Sequence, residues 1–239
     1  METLTNHGSP SGLAQSDGRA YGTYLYWLPL GAGGWFVRLN GRIYEALLAL
    51  REHRRPLDLY HSALEIRLPE GRFVIENAWP IPDPDDVSRG VVVEGPVGSS
   101  LLARLRTFRY EVRRWRDGHI SDAVYAVASP LRVSDDADRA RRLLDLVPVV
   151  PPLKWGRDEL RTGDMWNSNS VVSWLLAGSG LPAERVHPPR GGGAPGWKAG
   201  LELARRQGIR SQPEIGTVDA GRVWARGELN PHPVARTGS

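Results

Sequence analysis

The chain has 239 residues, 41% of them hydrophobic and 24% charged, and a formal net charge of +4. That length fits one large domain or two small ones and can bury a real core. The absence of cysteine excludes disulfides, zinc ribbons, iron–sulfur ligation and a thiol nucleophile, and no window approaches the roughly 18 apolar residues of a membrane span.

Residues 1–20 are polar and rich in Gly and Ser, so a disordered leader is expected. They lack a basic–apolar–small signal pattern, which predicts a cytoplasmic protein. Tyr24–Leu28 is rich in strand formers and stops at Pro29 and the glycines from Gly31. Trp35–Leu39 predicts a second short strand, and Asn40 caps a helix carrying Ile43, Leu47, Leu48 and Leu50. The clearest hairpin pairs Leu59–Leu68 with Phe73–Trp79 around Pro69-Glu70-Gly71, with Leu64, Ile66 and Leu68 on one face. Residues 80–90 form a Pro/Asp loop, and Gly90–Val93 a short strand.

Residues 101–116 fit a helical turn first and a strand over 107–116. Asp117-Gly118 is a hairpin signal, so residues 123–127 are expected to return as the partner strand. Ser134 is placed to cap a helix over Asp135–Leu146, with Ala140, Leu143 and Leu144 as its apolar stripe. A second helix is expected over Ser168–Ala177, stopped by Gly178 and Gly180. Arg190–Trp197 is a glycine loop, residues 198–206 a last short helix, and 207–239 a loose tail. The elements are segregated rather than alternating, which predicts a single α+β domain over 21–206, mostly antiparallel sheet with helices packed on one side.

One segment can carry chemistry. Asn167-Ser168-Asn169-Ser170 opens an apolar helix directly. A helix N-terminus offers free N–H groups and partial positive charge, the setting an acyl-transfer nucleophile needs. His61, on the polar face of its strand, is the candidate base for Ser168. Glu76 is the group expected to orient it, with Glu65 and Asn77 as competitors that the strand register decides between. Asn167 and Asn169 flank the serine, and Trp166 and Arg157 lie on loops that can wall a cleft, with Arg157 pairing a carboxylate. The same Asn and Ser residues are also standard helix caps.

The order of a strand histidine, a polar residue on the return strand and a nucleophile opening a later helix resembles the circularly permuted papain-like hydrolases. These include relatives of bacterial cell-wall peptidases, lecithin:retinol acyltransferase-like proteins and PPPDE peptidases. In many of them the helix begins Asn-Cys-Asn; here it reads Asn167-Ser168-Asn169, similar to a bacterial branch with serine at that place. The resemblance implies a hydrolase or acyltransferase acting on an amide or ester of a small or peptide-like substrate, with Ser168 as nucleophile and His61 as base. A serine hydroxyl is far less acidic than a thiol and depends on a well-oriented base. The alternative is an inactive protein that keeps the fold and binds a ligand or nucleic acid.

No cofactor is expected. The glycines at 31–34 lack phosphate-loop spacing, Asp83, Asp85 and Asp86 lack calcium-loop spacing, and no His or Cys pattern supports zinc. Arg190 with Gly191–Gly193 could cradle an anion. Arg104, Arg106, Arg109, Arg113, Arg114 and Arg116 interleave with Phe108, Tyr110 and Trp115, a pattern that either binds single-stranded nucleic acid or makes a solvated strand face.

Overall fold

A computed structural model describes residues 21–30, 53, 55–80, 90–120 and 122–208. The leader, the strand at 35–39, the helix after Asn40 and most of the tail lie outside the described residues.

The expected strands at 24–28, 59–68, 73–79, 90–93 and 107–116 form as β1 (Gly22–Pro29), β2 (Asp58–Leu68), β3 (Gly71–Ala78), β4 (Val91–Pro96) and β5 (Arg109–Arg116). Together with β6 (Val127–Ser134) they make an antiparallel sheet in the order β4-β5-β3-β2-β1-β6. The fold is α+β. Three helices follow: α1 (Ala137–Leu146), α2 (Ser168–Gly178) and α3 (Trp197–Arg206).

Two expectations fail locally. Residues 123–127 do not pair with β5. Both edges of β5 are taken, by β3 and β4, so the chain leaves it at Asp117 in a left-handed conformation and crosses the sheet face. Arg72 bonds the carbonyls of Asp117 and Gly118, and Ile120 buries against Leu28, Ala63 and Val74. Residues 123–125 are a short 3₁₀ turn, and the next strand, β6, joins β1 instead. The cap of α1 is Asp136, not Ser134: its Oδ1 accepts from Asp138 and Arg139 at 2.9 Å each, while the Ser134 hydroxyl accepts from Asp136 N–H.

Strand alternation decides which side each residue faces. Leu25 and Trp27 of β1, Leu64, Ile66 and Leu68 of β2, Ile75 of β3 and Tyr110 and Val112 of β5 all turn to one side. There they meet Leu143 of α1, Val171, Val172 and Leu175 of α2 and Ala204 of α3. Every residue of α2 from Ser168 to Ala177 is buried, so it is the central helix of that layer. The other side carries Leu28, Ala63, Val74 and a set of ion pairs. Glu65 binds Arg67 and Arg72 there, and Glu111 binds Arg113 at 2.6 Å.

Candidate functional site

The start of α2 is a knot of side-chain hydrogen bonds. Asn167 is the N-cap, its Oδ1 accepting from the N–H groups of Asn169 (2.9 Å) and Ser170 (3.4 Å). Its Nδ2 donates to the Pro195 carbonyl at 2.9 Å. The Ser170 hydroxyl accepts from Asn167 N–H and faces the carbonyls of Met165 and Gly196, closing a capping box. Asn169 reaches the sheet: Nδ2 donates to the carbonyls of Tyr60 (2.9 Å) and Pro195 (2.8 Å), and Oδ1 accepts from Ser62 (2.8 Å).

α3 is tied into the same knot. Its N-cap, Gly196, has no side chain, so Asp164 serves from outside the helix, accepting from Gly196 N–H at 2.7 Å and from Met165 N–H at 3.0 Å. Burial nonetheless holds the Asp164 carboxyl above its ordinary value. A methyl group on Gly200 would run into the Ser170 carbonyl and the Ser173 hydroxyl, so glycine there lets α2 and α3 touch. The Asn-Ser run is therefore spent on joining α2 to β2 and α3.

Ser168 is 4% exposed, and its hydroxyl makes no hydrogen bond among the described residues. His61 is on the other side of the sheet. Its neighbour Ser62 points at Asn169, and successive strand residues point oppositely. His61 pairs with Leu28, which belongs to the far-side cluster. Burial pushes the His61 imidazole down to about 4, with Asp122 pulling weakly the other way. Glu76 pairs with Arg113 and shares the His61 side, whereas Asn77 pairs with core residue Val112 and lies on the side the helices cover. The structure thus brings His61 and Glu76 to one face and leaves Ser168 on the other.

The remaining candidates also find structural partners. Trp166 is buried, its indole N–H donating to the Tyr110 hydroxyl at 3.2 Å. The Arg157 guanidinium donates to the Gly98 carbonyl at 3.0 Å. Gly192 and Gly193 form a two-residue strand, β7, parallel to β2. Of the arginine strand, Arg109 binds Glu94, Arg113 binds Glu111, Arg114 the Leu144 carbonyl and Arg116 the Glu70 carbonyl. That engagement favours the solvated or structural strand face over a nucleic-acid contact. No cluster of His, Asp and Glu among the described residues could hold a metal ion.

A feature the sequence reading did not assemble lies beside α2. Trp79, 42% exposed, packs at a tilt against Trp155 (6.2 Å between ring centres), and Trp155 against Tyr110 (5.5 Å). Tyr110 meets Trp166, next to the α2 cap. The four rings make a ladder from the surface to the helix start. Burial pushes the Tyr110 hydroxyl up to about 12. Asn77, two residues before Trp79, has both amide atoms buried without a hydrogen-bond partner. The Trp27 indole N–H is likewise unpartnered, on the strand position opposite Ser62. Alternation alone puts Asn77 and Trp79 on one side, but the approach of Trp155 is tertiary.

Comparison with protein-family models, with curated proteins and with solved structures finds no match to this chain.

Proposed function

We propose that the chain is a non-catalytic binding protein for a small peptide-like ligand, without the Ser–His chemistry of the permuted papain-like hydrolases whose order of elements it resembles. The observation that carries this reading is the placement of Ser168 and His61 on opposite sides of the sheet. A hydroxyl with a pKa far above neutrality cannot attack without a base in reach, and the Ser168 hydroxyl has no hydrogen-bond partner among the described residues.

The unpaired amide of Asn77 indicates the ligand. Leaving a buried donor or acceptor unmet costs about 1–3 kcal/mol. In a native protein each such group calls for an explanation, and a ligand that satisfies it is one. Asn77 offers one acceptor and an NH₂ donor, the complement of an amide. The ring ladder supplies apolar walls for the rest of the molecule.

The test uses N-acetylphenylalaninamide, a blocked amide with an aromatic side chain, titrated against tryptophan fluorescence. The expected result is a saturable change, weakened at least about tenfold by Trp79→Ala and by Asn77→Leu. Asn77→Leu should also raise stability by about 1 kcal/mol, because it removes an unmet polar group. Ser168→Ala should leave the affinity unchanged. No saturable change, or affinity indifferent to Trp79 and Asn77, would overturn the assignment of this site.

A further inference from the structure

The end of the sheet where β3 and β4 finish and β5 begins carries an unusual loop. Residues 97–108 join β4 to β5 through two 3₁₀ turns, Leu102–Arg104 and Arg106–Phe108. Leu101 is 69% exposed, Leu105 58% and Phe108 36%. Trp79, just past the end of β3, stands at the same end. The loop contains no acidic residue, while Arg104 and Arg106 sit between its apolar side chains.

Among the described residues, the carboxylates nearby are occupied. Glu94 holds Arg109 at 2.9 Å, buried Glu111 holds Arg113, and Glu159 holds Lys154. Asp158 accepts from the backbone N–H groups of Thr162 and Gly163. Arg106 reaches Glu111 only at 3.5 Å. The loop therefore presents large apolar groups together with cationic charge, and no anionic group of its own.

We propose that this loop docks the protein on an anionic lipid surface. Leucine and phenylalanine enter the boundary between headgroups and acyl chains, tryptophan settles at headgroup level, and arginine meets the phosphates. Charge complementarity selects the anionic surface. The degree of exposure favours a bilayer over a protein partner: Leu101 and Leu105 stand mostly clear of the chain, and a bilayer receives each of them singly without a matching pocket. Only Trp79 is shared with the ring ladder, so the test relies on loop residues alone.

The experiment is flotation of the full chain with vesicles of phosphatidylcholine, and of phosphatidylcholine with an equal part of phosphatidylglycerol. The chain is expected to float with the anionic vesicles and not with the neutral ones. Leu101→Ser with Leu105→Ser should reduce binding at least about tenfold, and Arg104→Gln about fivefold. These side chains are exposed, so thermal unfolding should be unaltered, which separates lost docking from lost folding. Failure to float with anionic vesicles, or flotation indifferent to all three substitutions, would overturn the proposal. So would a wild-type chain that ignores lipid but self-associates in light scattering through Leu101 and Leu105, since the surface would then be a protein interface.

Discussion

Replacing Asn169 with alanine is expected to destabilise the protein by about 3–5 kcal/mol. The side chain makes three hydrogen bonds at once: two donated to the carbonyls of Tyr60 and Pro195, and one accepted from Ser62. Asn169 is buried, and so is Ser62. Truncation leaves the Ser62 hydroxyl and the Tyr60 carbonyl without these partners, at about 1–3 kcal/mol for each unmet group. For a domain of this size the loss corresponds to roughly 10 °C in Tm. Asn169→Asp should fare no better, because it keeps the acceptor for Ser62 but turns carboxylate oxygen toward two carbonyls. Ser168→Ala, one residue away, should cost under about 1 kcal/mol, since its hydroxyl makes no hydrogen bond among the described residues. Denaturant unfolding of the three variants measures the contrast. Equal losses at 168 and 169 would contradict the assignment of the run as a structural knot.

The second large effect is a dependence of stability on His61 and pH. Its folded-state pKa is pushed from 6.5 down to about 4 by desolvation on the sheet face where it pairs with Leu28, with Asp122 opposing. The unfolded chain therefore takes up the proton first as the pH falls. The contribution of neutral His61 is fully present above pH 6.5 and is lost as the pH drops through 6.5 toward 4. At about 1.4 kcal/mol per unit, the loss by pH 4.5 is about 2–3 kcal/mol. Asp164 acts in the opposite sense at lower pH, because its carboxyl is held above 3.8 and keeps its proton better in the folded state. His61→Gln should flatten the fall between pH 7.5 and 4.5, as read from urea midpoints. An unchanged slope would mean that the imidazole is not buried in neutral form.

Much of the fold is legible in the sequence where periodicity and punctuation agree. The alternation of Leu64, Ile66 and Leu68 ahead of the Glu70-Gly71 turn marks the β2–β3 hairpin, while its register, with Leu64 opposite Ile75, is a finding of the structure. The apolar run after Asn167 defines α2, and Asn167 does cap it. The partner of β5 is not legible, because Asp117-Gly118 marks a turn without saying which neighbours already occupy the strand. The candidate site shows a subtler limit. Alternation places His61 away from Leu64 and Ile66, and an apolar helix must pack on the Leu64 side. Both facts are present in the sequence, and together they separate His61 from Ser168. The ring ladder is different in kind, since Trp79, Tyr110, Trp155 and Trp166 come from four separate segments that only tertiary folding brings together.

The central claim is that Ser168 is not an activated nucleophile. It is tested most directly by treating the folded protein with a fluorophosphonate probe and weighing the intact chain. The expected result is no adduct at Ser168 in the wild type or in His61→Ala. A stoichiometric adduct at Ser168 that disappears in His61→Ala would show that the two side chains work together, and the reading of this protein as a non-catalytic binder would be wrong.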